Sequence, residues 1–270
     1  MNEARAIARS EGRRLFGDDP AAYERGRSEY PAKLYEALRE RCGLGAGSRI
    51  FEVGAGTGIA TRGLLALEPA ALWAVEPDPR LARHLRETLV SQRLRIVESA
   101  FEDAPLPAAG FDVGVAAMSF HWLKPHEALA KVADALIPGG WWAMWWTVYG
   151  RDAGDDAFVQ ASQPLFAGLP SGPSNPRHDR TPFALDETSR LQDLAGSGFE
   201  DARVERWSWQ EPYSTGRIVD LYSTFSPVHA LPESQRRDFL ERLARIVDEQ
   251  FGGRLSRPLQ AILYTARLAR

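Results

Sequence analysis

The chain has one cysteine, Cys42, among 270 residues. A lone thiol excludes an intramolecular disulfide and a multi-cysteine metal site. It fits a reducing compartment. Charge of neither sign dominates: 33 Lys and Arg stand against 36 Asp and Glu, a net charge of −3. That argues against a nucleic-acid substrate, which needs a basic face. No apolar run is long enough to span a bilayer. The opening Met1-Asn2-Glu3-Ala4-Arg5 has no apolar signal core. A cytoplasmic location without a membrane partner is therefore the expectation. The acidic pairs Asp18-Asp19 and Asp155-Asp156 fall in loops without a supporting His or Asn constellation, so no metal site is evident. Internal repeats and low-complexity tails are also missing.

Hydrophobic residues make up 44% and charged residues 26%, the balance of a soluble globular protein. The length suits a single domain over 1–270 with an embedded cap. Short β-rich runs alternate with helical patterns through the first half. Strands are expected at Ile50–Val53, Leu72–Glu76, Arg95–Val97, Phe111–Met118 and Trp141–Val148. Helices are expected at Thr61–Leu67, Pro79–Leu89 and His126–Leu136, the last ended by Ile137-Pro138-Gly139-Gly140. This alternation predicts a parallel sheet with helices on both faces and a ligand at the carboxyl ends of the strands. Residues 150–182, rich in Gly, Pro and Ser, read as a loop. A helix at Leu185–Ala195 and a strand at Ala202–Trp209 follow. Residues 217–251 read as two helical pieces broken by Pro227 and Pro232, and Leu259–Leu268 as a closing strand.

The most informative stretch is Ile50-Phe51-Glu52-Val53-Gly54-Ala55-Gly56-Thr57-Gly58. An apolar strand runs into three alternating glycines, which let a ligand lie against backbone, and a helix start then offers free N–H groups. The dinucleotide fingerprint G-x-G-x-x-G fails in both registers, because Ile59 or Thr61 occupies the third glycine position. The acidic residue in the strand and the E-x-G-x-G-x-G spacing instead resemble motif I of the class I S-adenosylmethionine (SAM)-dependent methyltransferases.

Further segments carry the resemblance, narrowing it to the small-molecule type similar to trans-aconitate methyltransferase. Glu76 and Pro77 end the second strand about 20 residues after the loop, where an acidic residue reads a ribose diol. The other reading of Glu76 is a solvated strand-end charge; Asp78 reads as the cap of the next helix. Ser99-Ala100-Phe101-Glu102-Asp103 resembles the family's adenine-side segment, with Phe101 interposed. Phe101 and Glu102 read either as adenine contacts or as a core ring and a surface charge. Ser119-Phe120-His121-Trp122 resembles the family's F-H-W segment, and no D/N-P-P-Y/F segment of base methylases stands there. Tyr23, Arg27 and Tyr30 lie in a segment like the family's Y-x-x-x-R-P-x-Y-P entry, with Ser28 in place of the usual proline, and read either as a cover over the carboxylate end of SAM or as an amphipathic helix followed by a turn. Tyr222, Phe225 and Ser226 resemble a segment lining the acceptor pocket.

The resemblance implies an α/β fold: a Rossmann-like, seven-stranded, mostly parallel sheet with helices on both faces and a small helical cap inserted near the C-terminus. The core is expected at about 33–210 and 256–270, an N-terminal lid at 1–32 and the cap at about 211–255. It implies SAM as methyl donor, S-adenosylhomocysteine (SAH) as product, and a small-molecule acceptor methylated at oxygen. Gly54, Ala55, Gly56 and Gly58 are the residues expected at the amino acid end of SAM, and Glu52 is a further expected cofactor-binding residue. His121 has three readings: a base, a polar contact to the acceptor, or a structural residue. His229 is a candidate acceptor contact, as are Arg177 and Arg180 beside His178. Trp122 and Trp146 read as acceptor walls. Trp141, Trp142, Trp145 and Trp146 together also read as the packing of a strand buried on both faces. Two competing readings are an NAD-dependent oxidoreductase and a SAM-binding protein that has lost methyl transfer.

Overall fold

The computed structural model describes residues 7–9, 17–150, 156–167, 169–174 and 181–270. Asp155, Arg177, His178 and Arg180 lie outside the described residues. The elements, in order, begin with α1 (Pro20–Gly26), α2 (Ala32–Cys42), β1 (Arg49–Val53), α3 (Ile59–Leu65) and β2 (Ala71–Glu76). They continue with α4 (Pro79–Thr88), β3 (Leu94–Glu98), β4 (Phe111–Ala117), α5 (Pro125–Ala135) and β5 (Leu136–Tyr149). The last are α6 (Ala157–Phe166), α7 (Glu187–Gly196), β6 (Phe199–Ser214), α8 (Thr215–Ser223), α9 (Ser226–His229), α10 (Glu233–Phe251) and β7 (Arg254–Leu268).

Seven strands form one sheet in the order β3-β2-β1-β4-β5-β7-β6. The β1–β2, β1–β4, β2–β3 and β4–β5 pairs are parallel. Order reverses beside β1, so the carboxyl end of β1 is the switch point at which ligands bind in such sheets. The last strands run antiparallel. Gly150 pairs with Pro258 while Arg267 reaches Gly139, and Ala269 pairs with Gly198 while Ser256 bonds Gln210.

The described residues divide into two compact units. One holds Glu29–Thr147, Phe183–Trp207 and Ala261–Arg270; the other holds Met1–Ser28, Val148–Pro182 and Ser208–Gln260. In the first, Ile50, Phe51, Glu52 and Val53 are all buried, as a central parallel strand requires. Trp142, Trp145 and Trp146 are buried on β5, which is the packing reading of that cluster. Trp141 is half-buried, with the guanidinium of Arg41 4.7 Å above its ring. The second unit has its own core, built from Phe158, Tyr213, Leu221, Tyr222, Phe239 and Leu243 among others. No helix among the described residues is long and apolar enough to cross a membrane.

Several elements differ from the expectation. Strand β5 begins at Leu136, so Pro138, Gly139 and Gly140 lie inside it and do not separate it from α5. The β4–β5 register explains this: Phe111 pairs with Leu136 but Val113 with Trp141, an irregularity that takes up residues with no regular ladder partner. Helix α6 stands in the stretch read as loop. The Asp156 side chain accepts from the N–H groups of Phe158 and Val159, and the helix buries Phe158 and Leu165. The Gly and Pro residues around it hid this apolar face. Residues 215–251 form three helices, not two. Pro227 sits in the first turn of α9 and Pro232 caps α10, positions at which proline begins a helix. Helix α2 is an element left out of the sequence reading, although Leu34, Ala37 and Leu38 have helical spacing and Gly43 closes it at φ 65°.

Gly114 on β4 faces the ring of Phe51, and a Cβ there would stand 2.3 Å from it. Phe51 has no room to move, since it packs on Phe101, Phe111 and Trp142. Gly114→Ala is expected to cost about 1–3 kcal/mol of stability through overpacking. Urea unfolding checks this; an unchanged midpoint would show that the Phe51 cluster yields.

Candidate functional site

The glycine loop leaves β1 with positive φ at Gly54 (69°), Gly56 (61°) and Gly58 (94°). Gly58 caps α3 without a side-chain hydrogen bond. Two of these glycines do different work. At Gly54 a Cβ would stand 2.6 Å from the Cβ of Ser119, so the loop and the end of β4 approach backbone to side chain. Ser119 Oγ donates to the carbonyl of Val53, which ties the two strand ends together. At Gly56 a Cβ would meet nothing within 4 Å. The first glycine closes the structure, and the second leaves space.

Glu76, at the end of β2, braces the loop. Its Oε2 accepts from Gly56 N–H at 2.7 Å and its Oε1 from Asp78 N–H at 2.8 Å. It is 4% exposed. Burial pushes its pKa up to about 7, against the pull of the two backbone bonds. Asp78 caps α4 by accepting from Arg80 N–H, as its position suggested. Pro77, beside Glu76, is half-buried.

Glu52 lies one strand away and is fully buried. Its Oε2 accepts from Thr61 Oγ1 at 2.7 Å, while Oε1 has no hydrogen-bond partner. Burial pushes its pKa up to about 8; the Thr61 bond opposes this and the charge of Glu76 adds to it. The hydroxyl of Thr57, inside the loop, is also buried without a partner. An orphaned carboxyl oxygen, an orphaned hydroxyl and open space before Gly56 fit a polar ligand carrying an ammonium and hydroxyl groups. The residues present therefore suit SAM.

On the adenine-side segment, Phe101 is a core ring, parallel to Phe51 with centroids 6.1 Å apart. What it leaves for a ligand is its backbone. Ala100 is half-buried and Glu102 exposed. Lys131 on α5 holds this turn: its Nζ donates to the carbonyls of Glu102 (2.8 Å) and Ala104 (2.7 Å). Sequence reasoning missed Lys131, because nothing local marks a lysine that acts 27 and 29 residues away.

After β4, Met118 adopts φ 54°, a strained value that swings Ser119-Phe120-His121-Trp122 out of the sheet. Phe120 is a core ring against Trp142. His121 is 4% exposed, and its Nδ1 accepts from Trp146 Nε1 at 3.0 Å. Trp122 packs on the imidazole at 5.0 Å. Tyr30 lies edge-on to Trp145 at 5.7 Å. Glu52, the loop, Glu76, Ala100, Ser119, His121, Trp146 and Tyr30 all belong to the first unit.

Tyr23 and Arg27 belong to the second unit, so the entry segment divides at Ser28. The Arg27 guanidinium lies 4.9 Å from the ring of Tyr23 and 5.0 Å from that of Phe225, and donates to Thr224 Oγ1. Tyr222 accepts from Arg257 Nη1 at 2.9 Å, and Arg257 is in turn ion-paired with Asp156, all buried. Ser226 is buried at the start of α9. His229 Nε2 bonds Asp18 Oδ2 at 2.8 Å. No cluster among the described residues has the makings of a metal site.

Comparison with known proteins places this arrangement. A family profile described as a methyltransferase domain matches residues 51–144, which span β1 through most of β5. The uncharacterized methyltransferase C25B8.09 of Schizosaccharomyces pombe is 26% identical over 87% of each chain. The malonyl-[acyl-carrier protein] O-methyltransferase of Chlorobium phaeovibrioides is 27% identical over 86% of this chain and 85% of its own. The solved structure of a proposed type II methyltransferase from Anaeromyxobacter dehalogenans shares the fold with a TM-score of 0.66, at 22% identity over 90% of this chain and 99% of that one. The profile match and the methyltransferase relatives thus identify a methyltransferase domain at residues 51–144, built around the glycine loop and its buried acidic partner, and the solved structure shows the shared fold.

Proposed function

We propose that this methyltransferase moves the methyl group of SAM to an oxygen of a small molecule, a carboxylate or a hydroxyl, in the cytoplasm and without a nucleic-acid or membrane partner. The observation that carries the cofactor half is the Glu76 carboxyl beneath the loop. Each carboxylate oxygen has lone pairs beyond the one given to Gly56 or Asp78, so Glu76 can also accept from two ribose hydroxyls. Gly54, Ala55, Gly56 and Gly58 hold the amino acid end through backbone groups, and Glu52 offers its orphaned oxygen to the ammonium. The backbone at Ala100–Glu102, pinned by Lys131, holds the adenine edge. SAM supplies a methyl group on a positively charged sulfur that is already a good leaving group.

The chain's own task is then alignment and exclusion of water, and orientation alone is worth about 7–11 kcal/mol. Support for an oxygen acceptor comes from the Chlorobium relative, which is named a malonyl-[acyl-carrier protein] O-methyltransferase. Support for a small acceptor comes from Ser119-Phe120-His121-Trp122 standing where base methylases carry another segment, and from the net charge of −3. The reading of a SAM binder without transfer is not favoured by any of these features.

Two outcomes are expected. SAH binds the purified protein with micromolar affinity in calorimetry. Gly56→Arg fills the open space and abolishes binding, and Glu76→Ala weakens it about tenfold to a hundredfold through lost charge-assisted bonds. Failure of the folded wild-type protein to bind SAH sinks the site assignment. The second outcome concerns pH. Glu52 titrates near 8 when folded and near 4.5 as an unperturbed carboxyl. The folded state therefore holds a proton that the unfolded chain has lost, and Glu52 destabilises the fold progressively between those values and uniformly above them. Glu52→Gln should gain about 1–3 kcal/mol on wild type between pH 5 and pH 8.5 in urea unfolding. Parallel pH profiles for the two proteins would mean that Glu52 is ionised throughout.

A further inference from the structure

Helix α1 is seven residues long, and a helix that short does not persist in water by itself. Two local devices help it: Pro20 in the first turn, and the Asp19 side chain, which accepts from Ala22 N–H. The rest of its support comes from α8. The two residues that α1 buries, Ala22 and Gly26, are small and lie four apart on one face. A Cβ on Gly26 would stand 2.4 Å from the Leu221 nitrogen and 2.8 Å from the Asp220 carbonyl carbon. Backbone therefore lies on backbone, with no room for a side chain. The platform beneath is firm, since Ile218, Leu221 and Tyr222 of α8 are buried in one core with Phe239, Leu243 and Val247 of α10. Polar bonds close round this seat. Arg25 Nε and Nη2 donate to the two Asp220 carboxylate oxygens at 2.8 and 3.1 Å. Arg217 donates to the Arg25 carbonyl at 3.3 Å and to Ser28 Oγ at 3.2 Å. Ser28 Oγ lies 3.0 Å from the Tyr213 hydroxyl, with both residues buried. All of these residues belong to the second unit. The Arg25–Asp220 pair is open to solvent and contributes little alone. The seat of Gly26 and the buried Ser28–Tyr213 bond therefore hold the segment.

We propose that residues 20–28 are a fixed clasp of the second unit, docked on α8 with or without cofactor, and not a lid that closes over SAM. A lid is drawn from the low-stability end of a structure, where opening loses few contacts. Lifting this segment loses many at once. It melts α1, bares the backbone at Leu221 and leaves the Tyr213 hydroxyl buried without its partner. It also strips the Arg27 guanidinium from the rings of Tyr149 and Phe225, which lie 5.7 and 5.0 Å away. The same segment therefore cannot move without disturbing α8 and the Tyr222–Phe225 stretch that follows from it. Tyr23 and Arg27 are preset by the fold, and a ligand does not have to order them. The statement about cofactor rests on the SAM reading above, whereas the docking of α1 on α8 does not.

The test is amide hydrogen exchange on the full chain, without ligand and at a SAH concentration that saturates in calorimetry. The α1 amides bonded to their own helix turn, Tyr23 N–H to Asp19 O and Arg27 N–H to Tyr23 O, should exchange within about tenfold of the α8 amides in the ligand-free protein. SAH should leave that ratio unchanged. Free exchange of α1 without ligand overturns the clasp, and protection that appears only with SAH identifies a lid in its place. In Gly26→Val the new side chain meets the Leu221 backbone, so α1 should lose about tenfold or more of its protection while α5 in the first unit keeps its own. An α1 as well protected in Gly26→Val as in wild type also overturns the proposal. If Gly26→Val does not fold, Arg217→Met takes its place: it removes the donors to the Arg25 carbonyl and Ser28 Oγ, and a several-fold loss confined to the same segment is expected. A folded protein that binds no SAH refutes the SAM reading, and the ligand-free exchange of α1 then decides the clasp alone.

Discussion

The buried carboxyl of Glu76 is the constraint on which the site depends. It accepts from Gly56 N–H and Asp78 N–H, so one side chain joins the glycine loop to the start of α4. A loop with three positive-φ glycines has many accessible conformations, and the backbone bonds from Gly54 and Ala55 to Val75 hold only its start. The bond to Glu76 selects one of them before any ligand arrives. Because both bonds come from backbone, the arrangement survives wherever β1 and β2 keep their parallel register, in which Val53 pairs with Val75. The cost is a carboxyl removed from water, raised to about 7 and adding to the burden on Glu52. Acidic residues are buried here in spite of the fold, and a ligand that satisfies them recovers part of that cost.

The second constraint is aromatic. Phe51 on β1 packs on Phe111, Phe101 and Trp142, so β1, β4, β5 and the turn after β3 share one ring cluster. Trp142 then meets Phe120, which fixes the segment that carries His121. The tryptophans of β5 divide their duties: Trp142 packs the core, Trp145 meets Tyr30, and Trp146 donates to His121 Nδ1. Core and site are thus one continuous packing arrangement in this unit. A change of volume at Phe51 is felt at the segment after β4.

What was legible in the sequence was local. The glycine loop, Glu52, Glu76 and the Asp78 cap are all written within 30 residues, with strand or helix patterns around them. Parallel strands buried on both faces stand out as apolar runs, so β1, β2 and β4 were readable almost to the residue. The failures have physical causes too. Pro138, Gly139 and Gly140 are strand breakers by propensity, but the β4–β5 irregularity accommodates them. Helix α6 has an apolar face among breakers. Lys131 reaches a turn 27 to 29 residues away by a side chain alone. No pattern of period two or 3.6 records such a contact.

The same argument explains why the glycine loop is easier to read than the interior of the second unit. The backbone loop that suits SAM comes from one stretch of chain, and its chemistry follows from glycine geometry. The second unit is assembled from three separate stretches. Its buried polar centre joins Asp156, Tyr222 and Arg257, with Arg257 101 residues from Asp156 and 35 from Tyr222. Such a centre fixes a specific packing, since the guanidinium cannot lose either partner without leaving a buried charge unsatisfied. It leaves no local trace, because an arginine, a tyrosine and an aspartate are each unremarkable in place. Small changes in these separated residues alter the unit's interior while the loop under Glu76 stays the same. Such a centre has to be read from the folded chain, whereas the glycine loop can be read from one stretch of sequence.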